Sequence, residues 1–302
     1  MLTVSNYHYI RLDFKTKYSS IFGLTPSEFK QQLILLKNQG NFVHPNDLIL
    51  DLNAVLQSKD NNLLITFDDG LKEQFDLALP ILDELNIPAV FFVNSINSEE
   101  KKVTTVHKIH LLRSIISSSE FLDKFIDVPF SQTETQNARN IYRYDDEKSA
   151  VLKYILNFKL DFKQQEQIVN TLFNLYFEES VILESLYMTE QNLKELANKG
   201  YLGSHTHSHY PLGLLDSETI KKELKKTKTY LDTLTHSNIK IVSYPYGTPE
   251  VCTDQVADLT QKAGYEIGFT TKRGINTLQE NPLLLNRFDC NDLIGGKNYN
   301  KI

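Results

Sequence analysis

Two short motifs in this chain combine the residue types needed for metal-assisted hydrolysis. The sequence TFDDG at residues 66–70 closes the apolar run 63–65 and carries Asp68 and Asp69. The sequence HTHSH at residues 205–209 carries three imidazoles. Adjacent carboxylates at the end of a buried strand are costly unless a cation stabilises them. One carboxylate and two imidazoles form a ligand set that leaves metal positions open for water and substrate, and a spare carboxylate can act as a general base.

The consecutive carboxylates Asp68 and Asp69 would point to opposite sides of an extended strand. A turn at the strand end can bring both into one cavity, where one binds the metal and the other faces the water. The alternative is an Asp-Gly turn in which the carboxylates only cap backbone amides. The histidine motif downstream favours the metal interpretation.

The histidine motif allows two geometries. On a helical turn, His205 and His209 share a face and His207 points away, whereas on an extended strand all three would align. We favour His205 and His209 as the ligand pair, with His207 as a wall residue. The alternative, surface histidines in a polar loop, is disfavoured by the clustering of all three directly after Gly203 and Ser204.

The elements around these motifs alternate between strand and helix, which predicts a parallel sheet with right-handed crossovers. A capping box at residues 25–28 starts a helix, because Thr25 is followed by Pro26 and, three positions on, by Glu28. Both motifs follow predicted strands, so they lie at the carboxyl ends where α/β barrels place their chemistry. Strands are expected at residues 2–10, 63–67, 88–93, 239–244 and 265–270, and helices at 71–85, 189–199, 217–234 and 249–263.

Residues 95–188 interrupt this alternation with helical spacing and Ser- and Asn-rich joints. We interpret residues 1–302 as a single catalytic domain with a helical insertion at 95–188. A lid, a substrate wall and an oligomer contact are all open roles for the insertion, and the sequence does not predict the oligomeric state.

The formal net charge of −6 and the lack of a long basic stripe argue against a nucleic-acid partner. No stretch approaches the roughly 18 apolar residues of a membrane span. The first eight residues lack the basic segment and apolar run of a secretory signal, so we expect a cytoplasmic protein. Cys252 and Cys290 form neither a CxxC pair nor a disulfide framework.

The two lead motifs together resemble those of the polysaccharide deacetylase family, a group of carbohydrate esterases. The resemblance implies a distorted (β/α) barrel, here with the inserted helical subdomain, and removal of acetyl groups from N-acetylated sugars with a divalent ion. It implies Asp68 as the general base and Asp69, His205 and His209 as metal ligands. The sequence SYPYG at residues 243–247 resembles the third motif, in which a turn amide, here of Tyr246, stabilises the oxyanion.

The chain departs from the family pattern in two places. Ser243 stands where the third motif commonly has an Arg, and the late motif with a catalytic His is absent. The Tyr7-His8 pair resembles the N-terminal Tyr-His of a circularly permuted branch, in which that His is the general acid. Arg287 resembles an Arg near the end of the same branch and would replace the missing guanidinium. Structural alternatives are a hydrogen-bonded core His8 and a surface ion pair for Arg287.

The expected reaction is removal of an N-acetyl group from an amino sugar or glycan precursor, by water activated on the metal with Asp68 as base and His8 as acid. The cofactor is one divalent ion, for which we expect zinc, while Co, Ni, Mn and Fe also suit two imidazoles and a carboxylate. The expected partner is an N-acetylated sugar, nucleotide- or lipid-linked. An O-acetyl esterase or other amide hydrolase, and an inactive glycan-binding homologue, are the alternatives.

Overall fold

A curled sheet of parallel strands with helices around it forms the core of the first of two compact units. The computed structural model describes residues 1–15, 22–125, 128–141 and 146–299. The first unit comprises Met1–Leu12, Gly23–Lys102 and Ile182–Ile302. The second comprises Asp13–Phe22 and Val103–Val181 and is helical. Strand curvature and parallel pairing confirm the predicted distorted (β/α) barrel class.

Eight strands lie in the part of the sheet that the structure describes, and every pairing among them is parallel. Their spatial order is β7-β6-β5-β4-β3-β1-β8, with β2 paired beside β3. The strands are β1 (Leu2–Tyr7), β2 (Asn41–Phe42), β3 (Asn62–Phe67), β4 (Ala89–Val93), β5 (Leu202–Ser204), β6 (Ile241–Ser243), β7 (Ile267–Phe269) and β8 (Phe288–Asp289).

Helices connect and cover the strands or build the helical unit. The α-helices of the described residues are α1 (Pro26–Lys37), α2 (Pro45–Gln57), α3 (Leu79–Leu85), α4 (Ile96–Glu99), α5 (Thr105–Arg113), α6 (Ser118–Leu122), α7 (Gln132–Ile141), α8 (Glu147–Tyr154), α9 (Phe162–Tyr176), α10 (Glu179–Leu186), α11 (Glu190–Asn198), α12 (Ser217–Thr235) and α13 (Asp254–Lys262). Two π-helical turns, Gln74–Ala78 and Ile155–Lys159, and three 3₁₀ turns, Asp123–Phe125, Leu212–Leu214 and Cys290–Asp292, complete the set.

The strands alternate between two apolar clusters, as the period of two requires. On β3, Ile65 and Phe67 join the cluster that includes α1 and α12, while Leu64 belongs to the second cluster with Val4 and Phe92. The face that carries Leu64 continues toward the carboxyl end of β3 through buried Thr66 and Asp68. This face therefore changes from apolar to polar just where the strands end.

Several boundaries follow from capping chemistry. The capping box predicted at Thr25 is present, since the Glu28 amide donates to the Thr25 hydroxyl and the Thr25 amide donates to the Glu28 carboxylate. Helix α13 begins at Asp254, after the N-cap Thr253, and the predicted start at residue 249 is wrong. Strand β1 ends at Tyr7, so the predicted strand to residue 10 is too long, and His8 lies just beyond it.

The helical unit has its own buried contacts. Lys108 on α5 is buried and forms a 2.6 Å ion pair with Glu179, and it also donates to Asn170 on α9. Residues 95–102 and 182–188, which the predicted insertion bounds include, cluster with the first unit. Within the described parts of the chain, no helix is both long and apolar enough to cross a membrane.

Candidate active site

Asp68 lies at the carboxyl end of β3 and is held by a guanidinium. Arg287 donates from Nη1 to Oδ1 and from Nη2 to Oδ2, each at 2.8 Å, and both side chains are buried. Burial by itself would raise the pKa of Asp68, but the charges of Arg287 and His205 outweigh it and lower the pKa to about 2. The carboxylate is therefore ionised at neutral pH and fixed in one orientation.

Each nitrogen of the Arg287 guanidinium has a hydrogen-bond partner. Its Nε donates to the Thr270 carbonyl at 2.8 Å, and Nη1 also lies 3.2 Å from Asn6 Oδ1 and from Thr66 Oγ1. Arg287 precedes β8 and is as buried as any core side chain. The surface ion pair considered for Arg287 from the sequence is therefore wrong, because this ion pair is fully desolvated.

Asp69, His205 and His209 come together beside Asp68. Asp69 Oδ1 lies 3.5 Å from His205 Nε2 and 3.3 Å from His209 Nε2. One ligand atom from each of these buried residues falls within 4.8 Å of the others. Two imidazole nitrogens and one carboxylate oxygen are a donor set that suits a divalent transition metal. The donor atoms therefore fit the ion that the sequence predicts.

Left-handed backbone conformations create this convergence. Asp69 has φ of +80° and Gly70 of +64°, so the chain turns sharply after β3, and the Asp69 carboxylate lies against His205 and His209. A Cβ on Gly70 would lie 2.9 Å from a Val93 side-chain carbon. The positive φ favours glycine at that position, and the close approach to Val93 leaves no room for a Cβ.

The histidine motif is neither a helical turn nor a strand. It is an irregular loop after β5 in which Thr206 and His209 have φ of +61° and +62°. His205 and His209 nevertheless face each other, with ring centroids 5.0 Å apart. The helical geometry offered by the sequence pattern is wrong, and the pair converges through loop conformation instead.

Contacts behind His205 set its tautomer. Its Nδ1 lies 2.8 Å from the Ser243 carbonyl, so Nδ1 carries the proton and Nε2 is a free lone pair facing Asp69. Burial lowers the pKa of His205 to about 4, although the neighbouring Asp68 opposes the shift. Neutral imidazole is the form that can bind a metal.

His207 faces away from this cluster. Its Nδ1 lies 2.6 Å from the Ser95 hydroxyl and its Nε2 3.0 Å from Glu100 Oε1. Lys226 also pairs with Glu100. His207 therefore anchors the loop to neighbouring elements, and its ring nitrogens are occupied by those contacts.

His8 and Tyr246 lie beside the same cluster of side chains. His8 Nε2 lies 4.0 Å from Asp68 Oδ2, and the His8 side chain is 40% exposed, so it is not the fully buried core histidine considered as the alternative. The Tyr246 ring packs edge-on against His209, with centroids 5.2 Å apart. Tyr246 has φ of +63° and its carbonyl accepts from the Thr271 hydroxyl.

Two buried carboxamides that the sequence analysis missed support the site. Asn94, directly after β4, donates to the backbone carbonyls of His205 and Thr206. Gln74 donates to the backbone carbonyls of His8 and Asp68. A polar residue directly after an apolar strand was the available signal for Asn94. Gln74 gave no comparable signal, because its contacts depend on how the chain folds back.

Comparison with known proteins agrees with this geometry. The family model described as polysaccharide deacetylase matches residues 56–117 and 143–268, more than half of the chain. The chain belongs to the polysaccharide deacetylase family. A Bacillus subtilis (strain 168) protein, YxkH, which carries the name of a polysaccharide deacetylase, is 29% identical over 102 residues. That alignment covers 33% of this chain and 36% of YxkH, so it spans about a third of either protein.

Two solved structures share the fold of this family member. The Streptococcus pyogenes deacetylase PplD, in complex with acetate, aligns with a TM-score of 0.61 and 19% identity over 95% of this chain and 91% of its own. IcaB from Ammonifex degensii aligns with a TM-score of 0.61 and 18% identity over 99% and 94%. The family and fold predictions are confirmed, while the circularly permuted branch stays a prediction.

Proposed function

We propose that this protein is a metal-dependent hydrolase that removes the acetyl group from an N-acetylated amino sugar within a glycan or glycan precursor. The observation that carries the proposal is the convergence of the Asp69, His205 and His209 ligand atoms within 4.8 Å beside the Arg287-bound Asp68. Membership of the polysaccharide deacetylase family supports a carbohydrate substrate and deacetylation.

Asp68 is the proposed general base. Its carboxylate lies at the edge of the ligand cluster, and Arg287 keeps it ionised and oriented through two hydrogen bonds. A base must be deprotonated and must reach its proton within hydrogen-bond distance. Because Arg287 fixes both oxygens, Asp68 needs no reorganisation before it accepts a proton from the attacking water.

Asp69, His205 and His209 are the proposed ligands of one divalent ion. When bound, such an ion supplies Lewis acidity, which activates water and polarises the acetyl carbonyl. The Ser243 carbonyl holds the His205 ring so that Nε2 faces the ligand cluster. We propose zinc as the ion, and the donor set also suits Co, Ni, Mn and Fe.

His8 is the proposed general acid and Tyr246 the proposed oxyanion donor. His8 Nε2 lies 4.0 Å from the carboxylate of the proposed base, and the His8 side chain is partly exposed. An amine leaves poorly unless it is protonated, and an imidazolium can donate that proton. The Tyr246 backbone amide would donate to the developing negative charge, and one such donor is worth roughly 3 kcal/mol.

The proposed acid His8, 4.0 Å from the proposed base, supports an amide over an ester substrate, because an alkoxide leaving group depends less on protonation than an amine does. Zinc as the native ion, a nucleotide- or lipid-linked sugar and a cytoplasmic location stay predictions.

Acetate release from matched N-acetylated and O-acetylated chito-oligosaccharides tests the proposal. The zinc-loaded protein should release acetate from the N-acetylated substrate, and the Asp68→Asn variant loaded in the same way should not. Release from the O-acetylated substrate alone would identify an esterase. Saturable glycan binding without any acetate release would identify the inactive binding homologue.

A further inference from the structure

The side chain of Gln74 is completely buried, and its hydrogen-bonding groups are all used. Nε2 donates to the His8 carbonyl at 2.9 Å and to the Asp68 carbonyl at 2.6 Å. Oε1 accepts from the Leu71 amide at 3.2 Å. One carboxamide therefore joins the two chain segments that carry the proposed acid and the proposed base.

These two carbonyls lie just beyond the end of a strand ladder. The β1–β3 register runs up to Tyr7 opposite Phe67, and the next bond passes from the Asp68 amide to the Tyr7 carbonyl at 3.1 Å. Past that bond the backbones separate, and buried carbonyls need another donor. Gln74 provides both N–H groups and thereby continues the connection between the strands by one further residue.

The backbone around Gln74 is specialised for this contact. A π-helical turn begins at Gln74, and the Leu79 amide donates to the Gln74 carbonyl. Such turns are rare and occur frequently at functional sites. The preceding residue, Glu73, accepts from the Ile10 amide at 3.1 Å and from Arg11 Nε at 2.7 Å. The side chains of Glu73 and Gln74 thus hold the segment that follows β1.

We propose that Gln74 is a positioning residue that fixes His8 relative to Asp68. The inference rests on the proposed function, in which Asp68 accepts a proton from the attacking water and His8 donates one to the leaving amine. Misplacement of a catalytic group by about 1 Å can cost on the order of 100-fold in rate. Gln74 is fully buried and is not one of the proposed metal ligands, so it acts through the backbone positions of His8 and Asp68.

The Gln74→Glu variant tests this role because it preserves side-chain size and removes the paired N–H donors. Gln32→Glu is the matched control. Gln32 is likewise buried, accepts from the Tyr7 hydroxyl at 2.8 Å, and donates to the carbonyls of Cys290 and Ile294 at 2.7 and 3.1 Å. Each variant loses two side-chain N–H donors to backbone carbonyls, but only Gln74 donates to the His8 and Asp68 carbonyls.

Zinc-loaded wild type and both variants are compared on an N-acetylated sugar and on an activated acetate ester. For Gln74→Glu we expect kcat/KM to fall about 100-fold on the amide with metal content unchanged. The loss on the ester should be much smaller, because the ester needs no acid and Arg287 still holds the Asp68 carboxylate. Gln32→Glu should lower both rates by the same factor. Equal losses on both substrates in Gln74→Glu would overturn the proposal.

Crystal structures of wild type and Gln74→Glu decide the question independently of turnover. The 4.0 Å separation of His8 Nε2 and Asp68 Oδ2 should lengthen by roughly 1 Å in Gln74→Glu and stay unchanged in Gln32→Glu. An unchanged separation in Gln74→Glu refutes the positioning role. If wild type hydrolyses neither substrate, the proposed function fails while this structural comparison still decides the role of Gln74.

Discussion

Arg287 and Asp68 stand 219 residues apart in the chain, and their side chains form two parallel N–H···O hydrogen bonds of 2.8 Å each. The pair joins the end of β3 to the segment that precedes β8. Both groups are removed from water, so each charge depends on the other for compensation. The same contact therefore contributes to folding and sets the state of the proposed base.

Replacing Arg287 by Met should destabilise the protein by about 3–5 kcal/mol, because removing one partner leaves the Asp68 carboxylate buried without compensation. Denaturant unfolding at pH 7 measures the loss. The control is Lys30→Met, which breaks a surface pair with Glu84 and should cost at most about 1 kcal/mol. Similar losses in the two variants would show that Arg287 does not compensate a buried charge.

The His8→Ala variant should separate the acid step from the rest of the reaction. We expect a fall of about 100-fold or more on an N-acetylated sugar and a much smaller loss on an activated acetate ester, whose leaving group needs no proton. Metal content should not change, because His8 is outside the ligand cluster. The assignment of His8 as the acid is wrong if both substrates lose the same factor.

Much of this arrangement could be predicted from the sequence. The apolar run before Asp68 and the alternation of strand and helix predict a parallel sheet with polar residues at its carboxyl ends, and the family resemblance adds His8 and Arg287. Loop conformation could not be predicted in this way. The convergence of His205 with His209 depends on two residues with positive φ, and local sequence patterns favour a helical turn for that spacing.

Long-range side-chain contacts could not be predicted from the sequence either. The hydrogen bonds of Gln74 and Asn94 go to backbone carbonyls of segments distant in the chain, and no periodicity encodes such partners. The prediction that β1 extends to residue 10 is wrong for a similar reason, since the strand ends at Tyr7. Residues 8–10 are as β-prone as those before them, but tertiary contacts with Glu73 and Gln74 draw this segment away from the ladder.

The Tyr246→Gly variant distinguishes the backbone amide from the side chain. Glycine keeps the amide and adopts the φ of +63° without strain. If the amide is the functional group, kcat should fall less than about tenfold, with the larger effect on KM because the ring beside His209 is lost. The oxyanion loss expected for a missing donor is about 100- to 1,000-fold in kcat. A loss of that size in Tyr246→Gly would instead assign the function to the ring.

The metal-free protein should lose stability in mild acid because of His205. Its pKa is about 4 in the folded state and about 6.5 in an unfolded chain, so the unfolded state binds more protons between these values. The contribution of His205 to the free energy of unfolding is fully present above pH 6.5. It is lost as the pH falls toward 4, by about 3 kcal/mol in total. Urea unfolding in the presence of chelator measures the free energy of unfolding across this pH range. It should fall with decreasing pH in wild type and fall less in His205→Asn. Equal slopes would contradict the prediction.

Metal content of the reconstituted protein tests the central claim most directly. Wild type, Asp68→Asn, Asp69→Ala and His205→Ala are loaded with zinc, dialysed and analysed for bound metal, and folding is checked by thermal unfolding. We predict about one equivalent in wild type and in Asp68→Asn, with the metal lost from Asp69→Ala and His205→Ala. Folded wild type that retains no zinc, cobalt, nickel, manganese or iron would contradict the account, as would full zinc retention by Asp69→Ala.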